Sequence, residues 1–244
     1  MVSGLVPDEI GVGSHERVLV GTGDRIEESG LVEFRLLYEG ELLNCTNTKR
    51  RADEKHEIRR YLHSQLRRLW QVNRNLAALA KDSRPQSITK RYVEEHGSFT
   101  EEEAVRVGIE CIADNWTRNG FRFVPLITER HCLQCSIDVL LLRPQEKRFV
   151  FEQGDIDGQL KTLFDALRIP ASKAECGGME PQEGENPMFC LLEDDRLISQ
   201  MKVTTDQLLL LPRAKELKAN DCFATIHVKL NYRDGRVSGG NYFG

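Results

Sequence analysis

The stretch Gly154-Asp155-Ile156-Asp157-Gly158-Gln159-Leu160-Lys161-Thr162-Leu163-Phe164-Asp165-Ala166-Leu167 combines an apolar stripe with a row of charges. Read as an α-helix that starts near Asp157, it puts Leu160, Leu163, Phe164 and Leu167 on one face. Asp157, Lys161 and Asp165 follow at intervals of four residues and line a second face. The stretch therefore predicts a helix that packs with one side and presents charged groups on the other.

The two aspartates at the start of this helix allow two interpretations. As caps, they would accept hydrogen bonds from free N–H groups and interact favourably with the helix dipole, and Lys161 would form an intrahelical salt bridge. Alternatively, Asp155 and Asp157 would bind a hard cation such as Mg²⁺, which prefers carboxylate, water and phosphate oxygens. Lys161 would then steady the charge of a phosphate. The pattern Asp-x-Asp-x-x-x-Lys alone does not decide between the two.

A second acidic motif follows at Leu191-Leu192-Glu193-Asp194-Asp195-Arg196-Leu197-Ile198, where an acidic turn opens a strand-like run. Together the two motifs resemble the RusA-type Holliday junction resolvases. In that family an Asp-x-Asp opens a helix, a lysine follows four residues after the second aspartate, and an Asp-Asp pair precedes the next strand. The resemblance covers roughly residues 133–230, including the strands expected at 198–203 and 222–230.

The resemblance implies a site and an activity. Asp155, Asp157 and Asp195 would be the metal-binding carboxylates, and Lys161 would assist phosphodiester cleavage. Asp165 and Asp194 would have at most a supporting role in the site. The implied protein is an endonuclease for branched DNA that depends on Mg²⁺, with Mn²⁺ as a substitute. It would be a homodimer, because symmetric cutting of a four-way junction needs two sites related by a two-fold axis. Since the ligands of one ion lie within a few Å of it, we expect Asp195 to converge with Asp157.

Three departures from the family pattern keep other functions open. Gly158 stands where the family usually has asparagine, Phe151-Glu152-Gln153 stands where a basic run often precedes the first aspartate, and residues 171–187 form an extra segment rich in Gly, Glu and Pro. The first two favour a non-catalytic nucleic-acid or protein-binding module that retains the fold. A metal nuclease for flapped or single-stranded DNA is a third possibility.

Composition limits the class of protein. The 244 residues are 40% hydrophobic and 30% charged, which is typical of a soluble protein. The net charge of −4 gives no global positive field, so any DNA contact requires a local basic patch. Seven cysteines, no signal peptide and no long apolar run predict reduced thiols in the cytoplasm and no membrane partner. No Walker loop or dinucleotide fingerprint is present, so no nucleotide cofactor is expected.

The basic patch is expected at Lys49-Arg50-Arg51 and along a long helix predicted over residues 53–80. Leucines and Ile58 keep a helical period there, with arginines beside them. A solvated charged face of a packed helix explains this pattern, and so does a phosphate-facing surface; the two are compatible. The candidate DNA-binding residues are Lys49, Arg50, Arg51, Arg59 and Arg67.

The whole chain predicts an α+β fold, with a mixed sheet covered by helices. Residues 31–232 would form a single RusA-like domain, with a loose segment at 1–30, a flexible tail at 233–244 and a helical elaboration at 44–120. Within it we expect a strand at 31–43 with a turn at Glu39-Gly40, a connecting stretch at 81–99, and a helix that starts at the Thr100 capping box. A hairpin is predicted from the strands 121–127 and 133–142. The His131-Cys132-Leu133-Gln134-Cys135 run lacks a second ligand pair, so we predict no zinc site.

Overall fold

A computed structural model describes residues 32–43, 48–144, 156–209 and 220–233. It confirms the α+β class. The helices are α1 (Thr48–Val72), α2 (Arg74–Asp82), α3 (Gln86–His96), α4 (Glu101–Asn115) and α5 (Ile156–Leu167). The strands are β1 (Glu33–Glu41), β2 (Thr117–Arg118), β3 (Phe121–Ile127), β4 (Leu133–Arg143), β5 (Met188–Leu192), β6 (Ile198–Gln207) and β7 (Asp221–Tyr232). Residues 1–31 and 234–244 lie outside the described residues, so the loose terminus and the tail stay predictions.

The larger sheet has four strands in the order β1-β7-β4-β6. β7 is antiparallel to both β1 and β4, whereas β4 and β6 are parallel, so the sheet is mixed as expected. Alternate residues of β4 are buried, from Leu133 to Leu141, while those between them are at least partly exposed. This period of two means that one face of the sheet packs on the core and the other faces water.

Helices α1 and α5 pack in the same core as the buried face of this sheet. α1 contributes Ile58, Leu62, Leu66 and Trp70, and α5 contributes Leu163, Ala166 and Leu167. Burial of a leucine side chain stabilises a fold by about 2 kcal/mol, so these stripes hold both helices on the sheet. The apolar stripe predicted for α5 is confirmed at Leu163 and Leu167, both of which are fully buried.

The second sheet has three strands in the order β2-β3-β5, and β3 and β5 are parallel. The predicted hairpin of β3 with β4 is therefore wrong, because the two strands belong to different sheets. Nearly every residue of β3 is buried, which suits a strand covered on both faces rather than one side of an exposed hairpin. The turn between β3 and β4, with Cys132 at φ 54°, carries the chain from one sheet to the other.

The helical part differs from the prediction in three places. α1 begins at Thr48 rather than at residue 53, so Lys49-Arg50-Arg51 belongs to the helix. The helix predicted over 53–80 is two helices, because Asn73 leaves the helical conformation and its side chain accepts hydrogen bonds from the N–H groups of Asn75 and Leu76. The predicted connecting stretch contains α3, none of whose residues is buried. By contrast, the Thr100 capping box is confirmed at the start of α4, with Glu103 as its acidic partner.

β1 runs without the turn that was predicted at Glu39-Gly40, and the register with β7 is continuous from Glu33 to Glu41. Among the helices of the described residues, none is both long enough and apolar enough to cross a membrane.

Candidate nucleic-acid and metal site

The first turns of α5 carry the charges that the sequence singled out. Asp157 lies in the first turn and Lys161 one turn later, and both side chains are exposed. Neither forms a hydrogen bond or an ion pair with another of the described residues. Asp155 lies outside the described residues. The structure therefore leaves one carboxylate and one ammonium group of α5 open to a ligand.

Hydrogen bonds fix the start of α5 at one end of the four-stranded sheet. The Gln159 amide donates to the carbonyl of Leu42, which directly follows β1, over 2.8 Å. The Arg143 guanidinium, at the end of β4, donates to Gln159 Oε1 over 3.4 Å. Asp157 therefore lies at the end of the sheet where β1 and β4 finish, and we call this the α5 end.

Helix α1 begins at the same end. Glu54 Oε1 accepts a hydrogen bond of 2.6 Å from the Leu43 N–H, so the first turns of α1 lie beside the residues that follow β1. Burial raises the pKa of Glu54, an effect that this hydrogen bond and then the nearby Arg50 and Arg51 oppose. Lys49 and Arg50 are exposed, and Arg51 is half-buried. The predicted basic patch thus shares the α5 end with Asp157 and Lys161.

Two of the five candidate DNA-binding residues do not belong to this patch. Arg59 is 1% exposed, and its guanidinium donates to the carbonyls of Asp165 and Arg168. Its prediction as a DNA contact is wrong, because its side chain is enclosed by α1 and α5. Arg67 is exposed, but it lies about 27 Å along α1 from Lys49. It lines a separate cavity of about 540 Å³ together with His63, Arg68 and the loop at Gly184.

Asp165, the third charge of the predicted α5 face, is turned inward. It is 8% exposed, and its carboxylate lies 2.5 Å from Lys55 Nζ and 3.4 Å from Arg168 Nη2. Asp165 therefore joins α5 to α1 and takes no part in an open site.

Asp195 lies at the opposite end of the four-stranded sheet from Asp157. It begins a short 3₁₀ turn that leads directly into β6, whose first residue, Ile198, pairs with Cys135 near the start of β4. The residues beside it belong to the same end, since Arg196 forms an ion pair with Glu129, which precedes β4. Asp194 caps the turn by accepting a hydrogen bond from the Arg196 N–H.

The separation follows from the length of β4. Cys135 and Arg143 are eight residues apart, which corresponds to about 26 Å of extended chain. Asp195 is on the Cys135 side, near Arg168, the residue that follows the C-terminal end of α5. Burial opposes the charged form of Arg168, but the hydrogen bond with Glu175 and the charges of Glu175, Asp165 and Asp195 together raise its pKa. Asp157 is at the other end of that helix. The expected convergence of Asp157 with Asp195 is therefore not seen. Among the described residues, no group of three His, Cys, Asp or Glu side chains is close enough to hold a metal ion.

Sequence reasoning missed the buried charges between α1 and α5. Lys55 and Arg59 of α1 are buried, and they contact Asp165 and the backbone of Asp165 and Arg168. The buried His56 between them accepts a hydrogen bond from the Arg59 guanidinium and packs on Phe121. The sequence did contain a signal, which is the position of these charges next to apolar residues. Lys55 and Arg59 are four residues apart and border the apolar stripe of α1. Asp165 likewise lies between Phe164 and Ala166 on α5. Charges that border an apolar stripe on two helices are candidates for pairing with each other.

Comparisons of this chain with known protein families, with curated proteins and with solved structures found no match. The likeness to the RusA-type resolvases therefore rests on the sequence motifs alone.

Proposed function

We propose that this chain is a metal-dependent endonuclease that acts on branched DNA, with Asp157 and Lys161 at its centre. One observation carries the proposal. Asp157 and Lys161 are exposed, opposite in charge and one helical turn apart, and no described residue pairs with either. Charges that serve the fold are paired, as Asp165 is with Lys55. Unpaired charges that stand beside a basic helix start suit an anionic, metal-bound substrate.

The groups at the α5 end fit Mg²⁺ in one of its usual modes. Mg²⁺ keeps several waters and binds through one or two carboxylates together with substrate phosphate oxygens, so it does not require a three-carboxylate cage. Asp157 is accessible for this role, and Asp155 enters the proposal from the sequence alone. When bound, the ion would activate water and stabilise the leaving oxygen. The Asp157 carboxylate would hold it at the start of α5.

The cations at the α5 end would bind and position the substrate. Lys161 would neutralise charge on the phosphate that is cut, and the exposed Lys49 and Arg50 would contact neighbouring phosphates of the strand. The N–H groups in the first turn of α5 favour an anion at the same place. Branched DNA as the substrate and a homodimer as the active form come from the family resemblance.

The position of Asp195 changes the site that the resemblance implies. Because Asp195 lies beyond the far end of α5, we assign the metal to the α5 end without it. The same separation favours a second candidate function, a nucleic-acid-binding module that keeps the fold and lacks catalysis, since fewer carboxylates remain to hold the ion.

Cleavage of a labelled four-way junction in Mg²⁺, beside a flap and a linear duplex, tests both candidates. Asp157→Asn keeps the size and the capping ability of the side chain and weakens the metal ligand. It should lower the cleavage rate at least about 100-fold, whereas junction binding without metal should be kept or strengthened. Asp195→Asn is the matched control, with the same change in charge at the other end of the sheet, and it should keep the rate within about threefold.

Each alternative outcome has a distinct meaning. A wild-type chain that binds the junction but does not cut it in Mg²⁺ or Mn²⁺ would establish the binding module instead. Equal cleavage by wild type and Asp157→Asn would show that α5 is not part of the active site. Loss of cleavage in Asp195→Asn, with an unchanged thermal midpoint, would restore the three-carboxylate site that the resemblance implies.

A further inference from the structure

The two edge strands of the four-stranded sheet differ in whether a side chain bonds their outward-facing backbone groups. At the β1 edge, the side-chain amide of Gln65 on α1 accepts a hydrogen bond of 3.0 Å from the Leu37 N–H and donates one of 2.6 Å to the Leu37 carbonyl. It thereby occupies outward-facing backbone groups that another strand would need. At the β6 edge, no strand of the described residues pairs with β6 on the side away from β4. β6 has ten residues, which gives an edge about 33 Å long.

The helices of the described residues also leave the β6 edge uncovered. Met201 pairs in register with the buried Ile137 of β4 and so shares the core face of the sheet, yet it is 55% exposed. Val203, the next residue on that face, is only half-buried. A long strand with outward backbone groups and an exposed apolar residue is a template for pairing with another chain.

The charges of β6 are arranged symmetrically about Thr204. Lys202 lies two residues before it and Asp206 two residues after it, so all three point to the same, outer face. Lys202 is on that face, since it lies 3.2 Å from Asp138, its register partner on β4. In an antiparallel pairing of two β6 strands with Thr204 at the centre, each Lys202 would stand opposite Asp206 of the partner subunit. Opposite charges in directly facing positions stabilise a pair of strands.

We infer that β6 is the interface for a second copy of this chain, paired antiparallel across a two-fold axis at Thr204. A self-complementary strand selects its own copy, because the same edge serves both subunits. The pairing would satisfy the outward backbone groups of β6 and cover Met201. It rests on the sheet alone and does not depend on the nuclease proposal.

A disulfide test fixes the register. At a two-fold axis through Thr204, the two Thr204 residues face each other at a Cα distance of roughly 4.5–5.5 Å, which suits a disulfide. The background carries Cys132→Ser, because Cys132 is exposed, and Cys45→Ser, because Cys45 lies outside the described residues. Thr204→Cys should cross-link under mild oxidation. Gln200→Cys, on the same exposed face but about 26 Å from its symmetry mate, should not.

Charge reversal tests the pairing itself. Lys202→Glu would place like charges opposite each other twice, and it should raise the dimer dissociation constant roughly tenfold in sedimentation measurements. Asp206→Lys should do the same. The double variant Lys202→Glu/Asp206→Lys restores opposite charges between subunits, although it does not restore the contact with Asp138, and it should recover the wild-type constant within about threefold.

Three results would overturn the inference. A wild-type chain that stays monomeric at the highest concentration tested would show that a second copy does not cover this edge. Equal cross-linking of Thr204→Cys and Gln200→Cys would indicate random collision. A double variant that dimerises no better than the single variants would show that Lys202 and Asp206 do not pair between subunits. Unchanged thermal midpoints in all variants separate these results from misfolding.

Discussion

Lys55 Nζ lies 2.5 Å from Asp165 Oδ2, in a place where both side chains are only 11% exposed. The pair joins Lys55, two turns into α1, to the last turn of α5. The Arg59 guanidinium reaches the backbone of the same turn, where it donates to the carbonyl of Asp165 over 3.2 Å. α5 is therefore held by charges at its last turn, and its first two turns carry the exposed Asp157 and Lys161.

Asp165→Asn should destabilise the fold by about 2–4 kcal/mol, because it leaves the Lys55 ammonium group buried without a counter-charge. Asp157→Asn is a matched control in the same helix and should change the free energy of unfolding by less than about 0.5 kcal/mol, since Asp157 is exposed. Urea unfolding measures both. Adding Lys55→Met to Asp165→Asn should recover part of the loss, and equal losses in the two single variants would contradict this account.

The stability of the fold should fall in mild acid because of His56. Burial, with the adjacent Arg59 and Arg60, lowers the pKa of His56 to about 4, compared with about 6.5 in an unfolded chain. Between these values the unfolded chain binds the proton and the folded chain does not. The contribution of His56 to the free energy of unfolding should therefore be complete above pH 6.5. As the pH decreases from 6.5 towards 4, the free energy of unfolding should decrease by up to about 1.4 kcal/mol per pH unit.

His56→Gln keeps an acceptor for the Arg59 guanidinium, which donates to His56 Nδ1 in the wild type. It should flatten the dependence of the unfolding free energy on pH between 4 and 6.5. Above pH 7 the profiles of variant and wild type should run parallel. An unchanged slope below pH 6.5 would show that His56 is already protonated in the folded chain.

Gly108 sets the distance between α4 and α2. A Cβ at this position would overlap the carbonyl oxygen of Ala80 on α2, so Gly108→Ala would push the helices apart. We expect a loss of about 2–3 kcal/mol, although alanine is the better helix former. Arg106→Ala, an exposed position of α4, should change stability by less than about 0.5 kcal/mol. A Gly108→Ala chain as stable as wild type would show that the helix pair adapts.

Replacement of both Lys49 and Arg50 by alanine should weaken DNA binding about equally for all sequences. It should also lower the slope of log affinity against log salt by about two units, one for each phosphate that the chain no longer neutralises. Arg74→Ala removes an exposed arginine at the start of α2, at the other end of α1, and should leave the slope unchanged. A slope unaffected by the double replacement would exclude Lys49 and Arg50 as phosphate-binding residues.

Local signals in the sequence predicted local structure well. The Thr100 and Glu103 capping box predicted the start of α4 because both partners lie within one turn. The stripe of Leu163 and Leu167 predicted the buried face of α5 for the same reason. Asn73 was also a local signal, because asparagine often caps helices and here marks the break between α1 and α2. The regular spacing of the leucines on both sides of it led instead to the prediction of one continuous helix.

Relations between distant segments could not be read in the same way. The turn after β3 has ordinary turn composition, and only the burial of β3 against β5 reveals that β3 and β4 enter different sheets. Arg59 and Arg67 look alike in sequence, yet one is enclosed by α5 and the other is exposed. The motif order placed Asp157 and Asp195 in one site, whereas the direction of β4 and α5 places them at opposite ends.

The Gln65 amide on β1 limits how far this sheet can grow. Two copies joined at β6 would form one eight-stranded sheet whose two outer strands are both β1. Each of those strands already has its central backbone groups bonded to Gln65, so no third copy can add there without breaking two hydrogen bonds. A single glutamine thus favours a closed pair over an open fibre of stacked strands, and it protects the chain against edge-to-edge aggregation.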